Sequence, residues 1–384
     1  MLHYKSLTMV LLLCIGMLNS CIKDEAPNAE CDITRAAVTV SDIAATFYQA
    51  TDTAQTVSYS DSVITFTVRP LADLTALAPR FSITEGATIS PTNGSVHNFS
   101  NGPVYYTLTS EDGMWKRRYR VQFSTPSNIV RDTLAYDFEH AELNSTGNYY
   151  VWYEVDGSGQ KSYPWATGNP GFRLSSSTAK AEEYISIPEE AGVEGRCVKL
   201  TTRSTGIFGQ LAKRPLAAGS IFLGTFDLSQ ALTNSLGATR FGHPTKEIPL
   251  RFSAYYKYQR GATYQDKQLT PYPDKQDYGH IYAVLYRNHD EAGNAVTLDG
   301  TNVLSSPLIV AIASFESIDN RANWTSFDIP FTYLTTLDET LLANFGYSLA
   351  VVCSSSHKGS LFEGAIGSTL WVDKIRITCN STKQ

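Results

Sequence analysis

The chain has 384 residues and a formal net charge of −6 at pH 7, and aromatic residues make up 11% of it. This length is enough for two domains of ordinary size. The negative charge makes nucleic acids and anionic membrane surfaces poor partners, because those surfaces attract basic proteins. The 22 tyrosines favour strands over helices. Composition therefore indicates a two-domain β protein and argues against a nucleic-acid-binding function.

The N-terminus has the pattern of a lipoprotein signal peptide. An apolar run from Met9 to Leu18 follows Lys5 and is shorter than the roughly 20 residues that span a bilayer. It leads into Leu-Asn-Ser-Cys, a sequence that suits the lipoprotein signal peptidase. We predict that residues 1–20 are removed and that Cys21 is acylated, which would anchor the protein in a membrane. The alternative is a cytosolic protein with an apolar N-terminus and a chance cysteine.

The segment after this cysteine suggests where the anchor resides. Residues 22–25 (Ile-Lys-Asp-Glu) resemble the signal that sends lipoproteins of Bacteroidetes to the outer surface. We therefore predict an outer-membrane lipoprotein that is exposed at the cell surface. Residues 21–36 show no hydrophobic periodicity and are interpreted as a tether to the first domain.

Four further cysteines remain once the predicted signal peptide is removed and Cys21 is acylated: Cys31, Cys197, Cys353 and Cys379. The last two lie in apolar, strand-like runs. We predict buried free thiols, with a disulfide as the alternative, because sequence does not determine cysteine pairing.

Short alternating segments occupy residues 37–125. Residues 63–68, 104–108 and 119–123 alternate apolar and polar side chains, with turn residues between them. This pattern predicts an immunoglobulin-like β-sandwich that spaces the rest of the protein from its anchor. The basic residues at 116–120 are either a patch for an acidic partner or the solvated face of a strand.

Residues 129–382 form the second predicted domain. Its apolar segments show no internal repeat and include one candidate helical turn, at 338–344. The strand-like segments are at 134–139, 221–223, 250–256, 281–286, 308–313, 327–331 and 347–353. Eight or more strands in roughly 250 residues predict a jelly-roll sandwich rather than a propeller or a barrel. The predicted fold class is thus all-β, an immunoglobulin-like sandwich followed by a larger jelly roll.

The last predicted strand carries a carboxylate on a face that is otherwise apolar. From Trp371 the pattern alternates, so that Trp371, Asp373 and Ile375 are expected on one face and Lys374 on the other. A carboxylate on a buried face costs several kcal/mol unless hydrogen bonds or a cation compensate. We therefore predict a polar or ionic site around Asp373.

Motifs along the second domain resemble those of the Bacteroidetes "putative carbohydrate metabolism domain" family, in the family's order. They are Phe138-Glu139, Trp165 with Gly168-Asn169 and Gly171, Tyr256-Lys257-Tyr258 with Gly261, Asp277, and the run from the serine triplet at Ser354 to Asp373. Ser360 stands where the family usually has Asp. The resemblance implies a sugar-related surface lipoprotein with an immunoglobulin-like spacer and a jelly roll. It supplies a substrate class but no reaction.

Two residues of a Gly- and Pro-rich segment are candidates for sugar binding. A sugar pocket needs rigid aromatic faces beside polar groups that satisfy hydroxyls. Residues 163–171 are predicted to form a loop in which Trp165 stacks on a sugar ring and Asn169 hydrogen-bonds to it. A core position for Trp165 is the alternative.

Three further residues are predicted to belong to the same pocket. Tyr256 and Tyr258 alternate in a strand, so they share one face while Lys257 lies on the other. Asp277 precedes an apolar strand and either reaches a ligand hydroxyl or caps a turn.

A structural calcium site is a further hypothesis. In the sugar-binding jelly rolls that this domain resembles, an early Phe-Glu and a late Val-Asp often share Ca²⁺, which implies Glu139 and Asp373 as ligands here. Ca²⁺ takes about six to eight oxygen ligands. The alternative is that backbone N–H groups or a cation such as Lys374 compensate Asp373.

Catalytic motifs do not accompany these candidates. The sequence has no H-E-x-x-H, P-loop or G-x-S-x-G pattern, and its seven histidines are scattered. Glycoside hydrolysis needs two carboxyls on either side of the bond, for which Glu139, Asp277 and Glu363 are available. We assign no catalytic residue and predict that the jelly roll binds an oligo- or polysaccharide without turnover. The alternatives are a glycoside hydrolase that uses the same pocket, and a structural adhesin or assembly subunit.

Overall fold

Two separate hydrophobic cores organise the chain. The protein is described by a computed structural model that covers residues 26–380 except 49, 58–60, 126–130 and 158. The predicted signal peptide, Cys21 and the predicted surface signal at 22–25 lie outside the described residues. One core draws on residues up to Phe123 and the other begins at Leu134.

Among the described residues, the first domain consists of seven strands in two sheets. The strands are β1 (Ile33–Ala37), β2 (Ala54–Thr56), β3 (Val63–Thr67), β4 (Arg80–Ile83), β5 (Thr88–Ser90), β6 (Val104–Thr109) and β7 (Lys116–Ser124), with helix α1 (Ile43–Thr46) and a 3-10 turn (Ala50–Thr53). One sheet has the order β2-β1-β4, and the other has the order β3-β7-β6-β5 with β3 and β7 parallel. The predicted immunoglobulin-like sandwich is confirmed.

The basic strand β7 shows the alternation expected of a half-buried strand. Tyr119 and Val121 are fully buried in the first core, whereas Lys116, Arg118 and Arg120 are exposed. Arg117 is partly covered and forms an ion pair with Asp32. This arrangement matches the solvated strand face rather than a continuous basic patch.

The second domain contains the remaining described strands. They are β8 (Thr133–Tyr136), β9 (Ala141–Leu143), β10 (Tyr150–Trp152), β11 (Glu154–Val155), β12 (Lys161–Ser162), β13 (Trp165–Thr167), β14 (Ser186–Glu189), β15 (Cys197–Thr201), β16 (Arg203–Ser204), β17 (Leu216–Ala217), β18 (Ser220–Phe226), β19 (Thr239–Phe241), β20 (His243–Thr245), β21 (Ile248–Gln259), β22 (Tyr264–Gln265), β23 (Gly279–Arg287), β24 (Ile309–Ile318), β25 (Arg321–Pro330), β26 (Thr332–Tyr333), β27 (Tyr347–Ser354), β28 (Gly364–Ala365) and β29 (Thr369–Asn380).

Helices are few and short in this domain. They are α2 (Asn169–Ser175), α3 (Gly206–Leu211) and α4 (Glu339–Ala343), with 3-10 turns at Ala181–Glu183 and Gly359–Leu361. The helical turn predicted at 338–344 is thus present as α4. Asp338 begins it, because its side chain accepts a hydrogen bond from the backbone N–H of Leu341.

Two large sheets enclose the second core. The eight-stranded sheet follows the path β13-β18-β27-β23-β24-β26, with β19 paired to β18 and β20 to β27. The six-stranded sheet follows β14-β15-β29-β21-β25, with β8 paired to β29. Their inward-facing side chains interdigitate to form the core. The predicted all-β sandwich architecture is confirmed.

The cysteines of both domains are buried and unpaired. Cys31 lies in the first core, Cys353 and Cys379 lie in the second, and Cys197 is fully buried on β15. All four described cysteines are free thiols, as predicted from their apolar surroundings.

Candidate functional site

A cavity of about 420 Å³ lies on the outer face of the eight-stranded sheet, away from the core between the sheets. Its floor is formed by Phe222 of β18, Tyr282 of β23 and Val352 of β27. Alternation along the strands explains the placement. On β18, for example, Ile221 and Leu223 point into the core between the sheets, so Phe222 must point outward.

Short helices and loops raise the walls above this floor. They include α2, which contributes Phe172, and α3, which contributes Phe208. Loops at 231–239, 300–305 and 356–362 complete the wall. Several large apolar side chains at the rim are exposed, including Phe208 at 77% and Leu232 at 66%. Exposed apolar patches of this kind mark binding surfaces when they adjoin a cavity.

His280 is a polar group in the cavity wall, and its environment keeps it neutral. Its Nε2 lies 2.9 Å from Ser314 Oγ, and that hydroxyl donates to Glu316 Oε1 at 3.1 Å. Because the serine proton is directed to Glu316, the imidazole Nε2 is the donor in the first bond. Burial lowers the pKa of His280 from 6.5 to about 4.

This neutral histidine predicts a pH dependence of stability. A histidine with a lowered pKa in the folded state binds its proton more readily when unfolded, so stability is lost as pH falls from about 6.5 to about 4. We expect a contribution of roughly 2 to 3 kcal/mol over that window. The measurement is chemical denaturation between pH 4 and pH 8, with His280→Gln as the comparison. A variant whose stability falls as steeply as that of the unchanged protein would contradict this assignment.

Asp277 holds together the loops that form one side of the cavity. The side chain is 0% exposed. Its Oδ2 accepts hydrogen bonds from Ser356 Oγ at 2.5 Å, Ser368 Oγ at 2.8 Å and the backbone N–H of Ala365 at 2.8 Å. Its Oδ1 accepts from the backbone N–H of Tyr278 at 3.0 Å. These bonds tie the start of β23 to the 356–368 segment, and Asp277 does not line the cavity.

The serine triplet belongs to the same buried network. Thr202 Oγ1 lies 2.8 Å from Ser355 Oγ and 2.6 Å from Ser356 Oγ. Ser354 and Ser356 also line the cavity. The family motif therefore fixes the end of β27 and orients the loop that follows it.

His357 extends this network to the cavity wall. Its ring stacks on Tyr278 with centroids 3.6 Å apart and an interplanar angle of 11°. Its Nδ1 lies 3.6 Å from Asp277 Oδ1. The ring is thus held by stacking on Tyr278 and lies near the aspartate that anchors the loop, without a hydrogen bond between them.

The structure places Trp165 in the core instead of on a loop. It is the first residue of β13, is 5% exposed and does not line the cavity. Its ring packs against Tyr136 and Phe138 with centroids 5.0 and 5.1 Å away. Its Nε1 donates to Glu154 Oε1 at 3.2 Å. The geometry does not support stacking of Trp165 on a ligand in this cavity, because the ring is buried among core side chains.

Asn169 is a structural bridge at the beginning of α2. It is fully buried, its Nδ2 donates to the carbonyl oxygen of Ser186 at 2.8 Å, and its Oδ1 accepts from the backbone N–H of Ser186 at 3.1 Å. The side chain therefore pairs with β14 as a neighbouring strand would. Its neighbours Gly168 and Gly171 line the cavity, so the predicted segment adjoins the site although the predicted side chains do not face it.

Tyr256 and Tyr258 share the inner face of β21, with Lys257 on the other face, as the alternation predicts. Both tyrosines belong to the core between the sheets and neither lines the cavity. Tyr256 packs against Phe315 with centroids 5.3 Å apart, and the Tyr258 hydroxyl donates to the Ser355 carbonyl oxygen at 3.1 Å. Their role is packing and support of the serine triplet.

Asp373 and Glu139 converge on one loop, at 190–196. The Asp373 carboxylate is fully buried and accepts hydrogen bonds from the backbone N–H groups of Val193 and Lys374, each at 2.7 Å. Glu139 accepts from the backbone N–H of Arg196 at 3.0 Å. Burial raises the pKa of Asp373. These backbone N–H donors thus offset the free-energy cost of burying the Asp373 carboxylate.

Lys374 supplies the positive charge in this region. Its Nζ lies 3.2 Å from Glu194 Oε2, 3.5 Å from Asp137 Oδ1 and 3.9 Å from Glu139 Oε1. Among the described residues, no group of three His, Cys, Asp or Glu side chains is placed to hold a metal ion. The side chains as arranged do not fit Ca²⁺, because an ammonium group already lies among the carboxylates.

The calcium hypothesis can be checked by thermal melting. An ion that binds only the native state must raise the melting temperature by mass action. With Lys374 as the resident cation, we expect the same melting temperature in EDTA and in millimolar Ca²⁺. A rise with Ca²⁺ that Glu139→Gln abolishes would instead support the calcium hypothesis.

None of the residues predicted to bind a ligand lines the cavity, although Gly168, Gly171, Ser354 and Ser356 of the family motifs do. Phe208, His280 and Tyr282 line it, yet no motif includes them. The sequence of β23 contains one indication that the outer face of its sheet is covered. Nearly every residue of that strand is buried, and the sequence from Ile281 to Tyr286 is apolar on both faces, which is typical of a strand covered on both sides.

In the part of the chain that the structure describes, no helix is long and apolar enough to cross a membrane.

The fold and the cavity define a two-domain β-sandwich protein with a covered site on one sheet face. Comparison with known proteins identifies its family. The family model described as "Putative carbohydrate metabolism domain" matches residues 137–378, and the model described as "SGBP, N-terminal" matches residues 44–122. The chain belongs to the putative carbohydrate metabolism domain family, and the resemblance seen in its motifs is confirmed.

Two solved structures share the family's architecture. A putative glycoside hydrolase from Bacteroides thetaiotaomicron VPI-5482 is 35% identical, with a TM-score of 0.70 over 94% of this chain and 99% of that one. A putative glycoside hydrolase from Bacteroides vulgatus ATCC 8482 is 32% identical, with a TM-score of 0.59 over 64% of this chain and 98% of that one. No curated protein matches the chain. These findings support a glycan-related function.

Proposed function

We propose that this protein captures a glycan at the cell surface through the cavity on the eight-stranded sheet and does not cleave it. The family and the N-terminal model support a glycan-related role. The observation that carries the choice of binding over cleavage is the composition of the cavity wall. Among the described residues that line the cavity, none is Asp or Glu, whereas glycoside hydrolysis ordinarily needs two carboxyl groups.

Two of the carboxylates that the sequence offers for hydrolysis form hydrogen bonds within the protein. Asp277 is buried and accepts four hydrogen bonds. Glu363 Oε2 accepts a hydrogen bond from the Tyr264 hydroxyl at 3.2 Å. Neither carboxylate lines the cavity.

A glycan array tests the proposal directly. The chain with Cys21→Ala, which removes the predicted lipidation, is applied to the array, and each bound glycan is then incubated with the protein and assayed for new reducing ends. We expect binding without release of reducing sugar. Release of reducing sugar would favour the second candidate, a glycoside hydrolase, which the names of the two similar structures suggest. Binding to no glycan would contradict capture.

The lipid anchor is the other part of the proposal. Mass spectrometry of the membrane fraction is expected to show an acylated N-terminal Cys21 and no residues 1–20, because the short apolar run and the following cysteine match the lipoprotein pattern. Cys21→Ala is expected to release the protein from washed membranes. A Cys21→Ala protein that stays with the membrane would contradict the anchor.

A further inference from the structure

The inner surface of the cavity is mainly apolar, and aromatic rings are prominent in it. Six phenylalanines and one tyrosine contribute to it: Phe172, Phe208, Phe222, Phe226, Phe241, Phe362 and Tyr282. Phenylalanine rings offer faces and edges to apolar groups but no hydrogen bonds. The chemistry of the wall therefore favours a ligand group that is itself apolar.

Three of the larger polar side chains at the wall, those of Arg214, His280 and Asn302, already form hydrogen bonds within the protein, and serine and threonine hydroxyls line the wall as well. Arg214 donates from Nη1 to the Ala231 carbonyl oxygen at 2.6 Å and from Nη2 to the Leu232 carbonyl oxygen at 2.8 Å. Its guanidinium serves to hold the rim loop. His280 donates to Ser314, and Asn302 Oδ1 accepts from the backbone N–H of Asp299 at 2.9 Å.

An unsubstituted sugar ring is a poor match for such an interior. A pyranose carries several hydroxyl groups, and each one that is buried without a partner loses its hydrogen bonds to water. The cavity volume of about 420 Å³ falls within the range of small-molecule sites. Its interior thus suits an apolar group of moderate size, while hydroxyls are better satisfied in water at the opening.

The rim continues the apolar surface outward from the cavity. Phe208 lines the cavity and is mostly exposed. Leu232 and Leu304, on the opposing loops, also line the cavity and have exposed side chains. Ile207, the neighbour of Phe208 on α3, is similarly exposed at 74% but does not line the cavity. A ligand that enters therefore meets Phe208 and leaves Ile207 untouched, which provides a matched pair for experiment.

We infer that the cavity takes an apolar substituent carried by a glycan, an aryl group above all, while the sugar rings remain at the opening. The phenylalanine walls favour an aryl group through edge-to-face and offset contacts. The inference deepens the proposed function and rests on it for the sugar part of the ligand. An alkyl or acyl chain shares the same apolar chemistry and is distinguished by the experiment.

The experiment uses isothermal titration of the full chain in the Cys21→Ala background. Methyl, phenyl and octyl β-glycosides of glucose, galactose and xylose are compared, with the octyl compounds kept below micelle formation. We expect each phenyl glycoside to bind about tenfold more tightly than its methyl counterpart, because the ring buries apolar surface. A preference for octyl over phenyl would assign an acyl or alkyl group in place of the aryl group.

Two variants locate the binding. Phe208→Ser is expected to remove the phenyl preference, and Ile207→Ser is expected to keep it. If Phe208→Ser melts early, Ala212→Trp replaces it, because Ala212 is an exposed cavity residue from which a large side chain would fill the opening. Equal affinity for phenyl and methyl glycosides would overturn the inference. Equal losses of phenyl-glycoside affinity in the Phe208 and Ile207 variants would also overturn it. So would a dimer in light scattering that both variants disrupt, because the apolar rim would then form contacts between copies of the protein.

The outcomes also separate the two proposals. Glycan-array binding without a phenyl preference would retain the proposed function and reject the inference. Phenyl-dependent binding that Phe208→Ser abolishes, with no glycan bound on the array, would retain the apolar site and reject glycan capture.

Discussion

Trp165→Ala is expected to lower the free energy of unfolding by about 4 kcal/mol, which is the usual cost of truncating a buried tryptophan. The ring is 5% exposed, packs against Tyr136 and Phe138, and donates a hydrogen bond to Glu154. Truncation leaves a void between the sheets and removes a partner from a half-buried carboxylate. Urea denaturation is the measurement.

The control for this experiment is the tryptophan of the first domain that lies at the surface. Trp115 is 63% exposed, so Trp115→Ala is expected to change stability by less than about 0.5 kcal/mol. A Trp165→Ala protein that kept its stability and lost glycan binding would restore the stacking role that the sequence suggests.

Asp277→Ala is expected to cost about 4 kcal/mol of stability, because four donors lose their acceptor in a buried site. Ser356, Ser368 and the Ala365 backbone N–H all point at Asp277 Oδ2. Loss of that oxygen also frees the 356–368 segment, which forms one wall of the cavity. We therefore expect the wall to open locally before the domain unfolds, which hydrogen exchange at 356–368 would detect.

Asp274 provides the matched control for this second experiment. It lies three residues earlier in the same loop and is exposed, so Asp274→Ala is expected to have little effect on unfolding or on exchange. Unchanged exchange at 356–368 in the Asp277→Ala protein would show that the segment is held by other contacts.

Sequence periodicity located the last strand but assigned part of it to the wrong face. The core side of β29 consists of Leu370, Val372, Ile375 and Ile377, so Trp371 and Asp373 point outward. The reason is a β-bulge. The pairing between β21 and β29 shifts register around Lys374, which has a φ of 51°. One extra residue inverts the alternation, and a pattern count that starts at Trp371 cannot detect it.

The predicted loop at 163–171 differs from the structure for another reason. Its glycines and prolines indicate a loop, but three residues of the segment add strand β13 to the edge of the eight-stranded sheet and its last three residues begin helix α2. That pairing depends on Leu223 and its neighbours on β18, more than fifty residues later in the chain. Local composition carries no information about such a partner.

The sequence did identify the polar residues that need special surroundings. Asp277 and Asp373 were both singled out, and both are fully buried with their oxygens satisfied. What it could not supply was the difference between a carboxylate that faces a ligand and one that anchors a loop. That difference depends on donors nearly ninety residues away along the chain, such as Ala365 for Asp277.

The edge strands of the two large sheets affect whether neighbouring copies of this protein can associate by strand pairing. The eight-stranded sheet ends in β13, with three residues, and β26, with two. At one edge of the six-stranded sheet, β14 contains Pro188, which cannot donate a backbone hydrogen bond. Short or proline-containing edges resist pairing with a strand from a neighbouring molecule. Three of these four sheet edges are therefore protected from intermolecular strand addition, and the ten-residue β25 is the edge at which such association would begin.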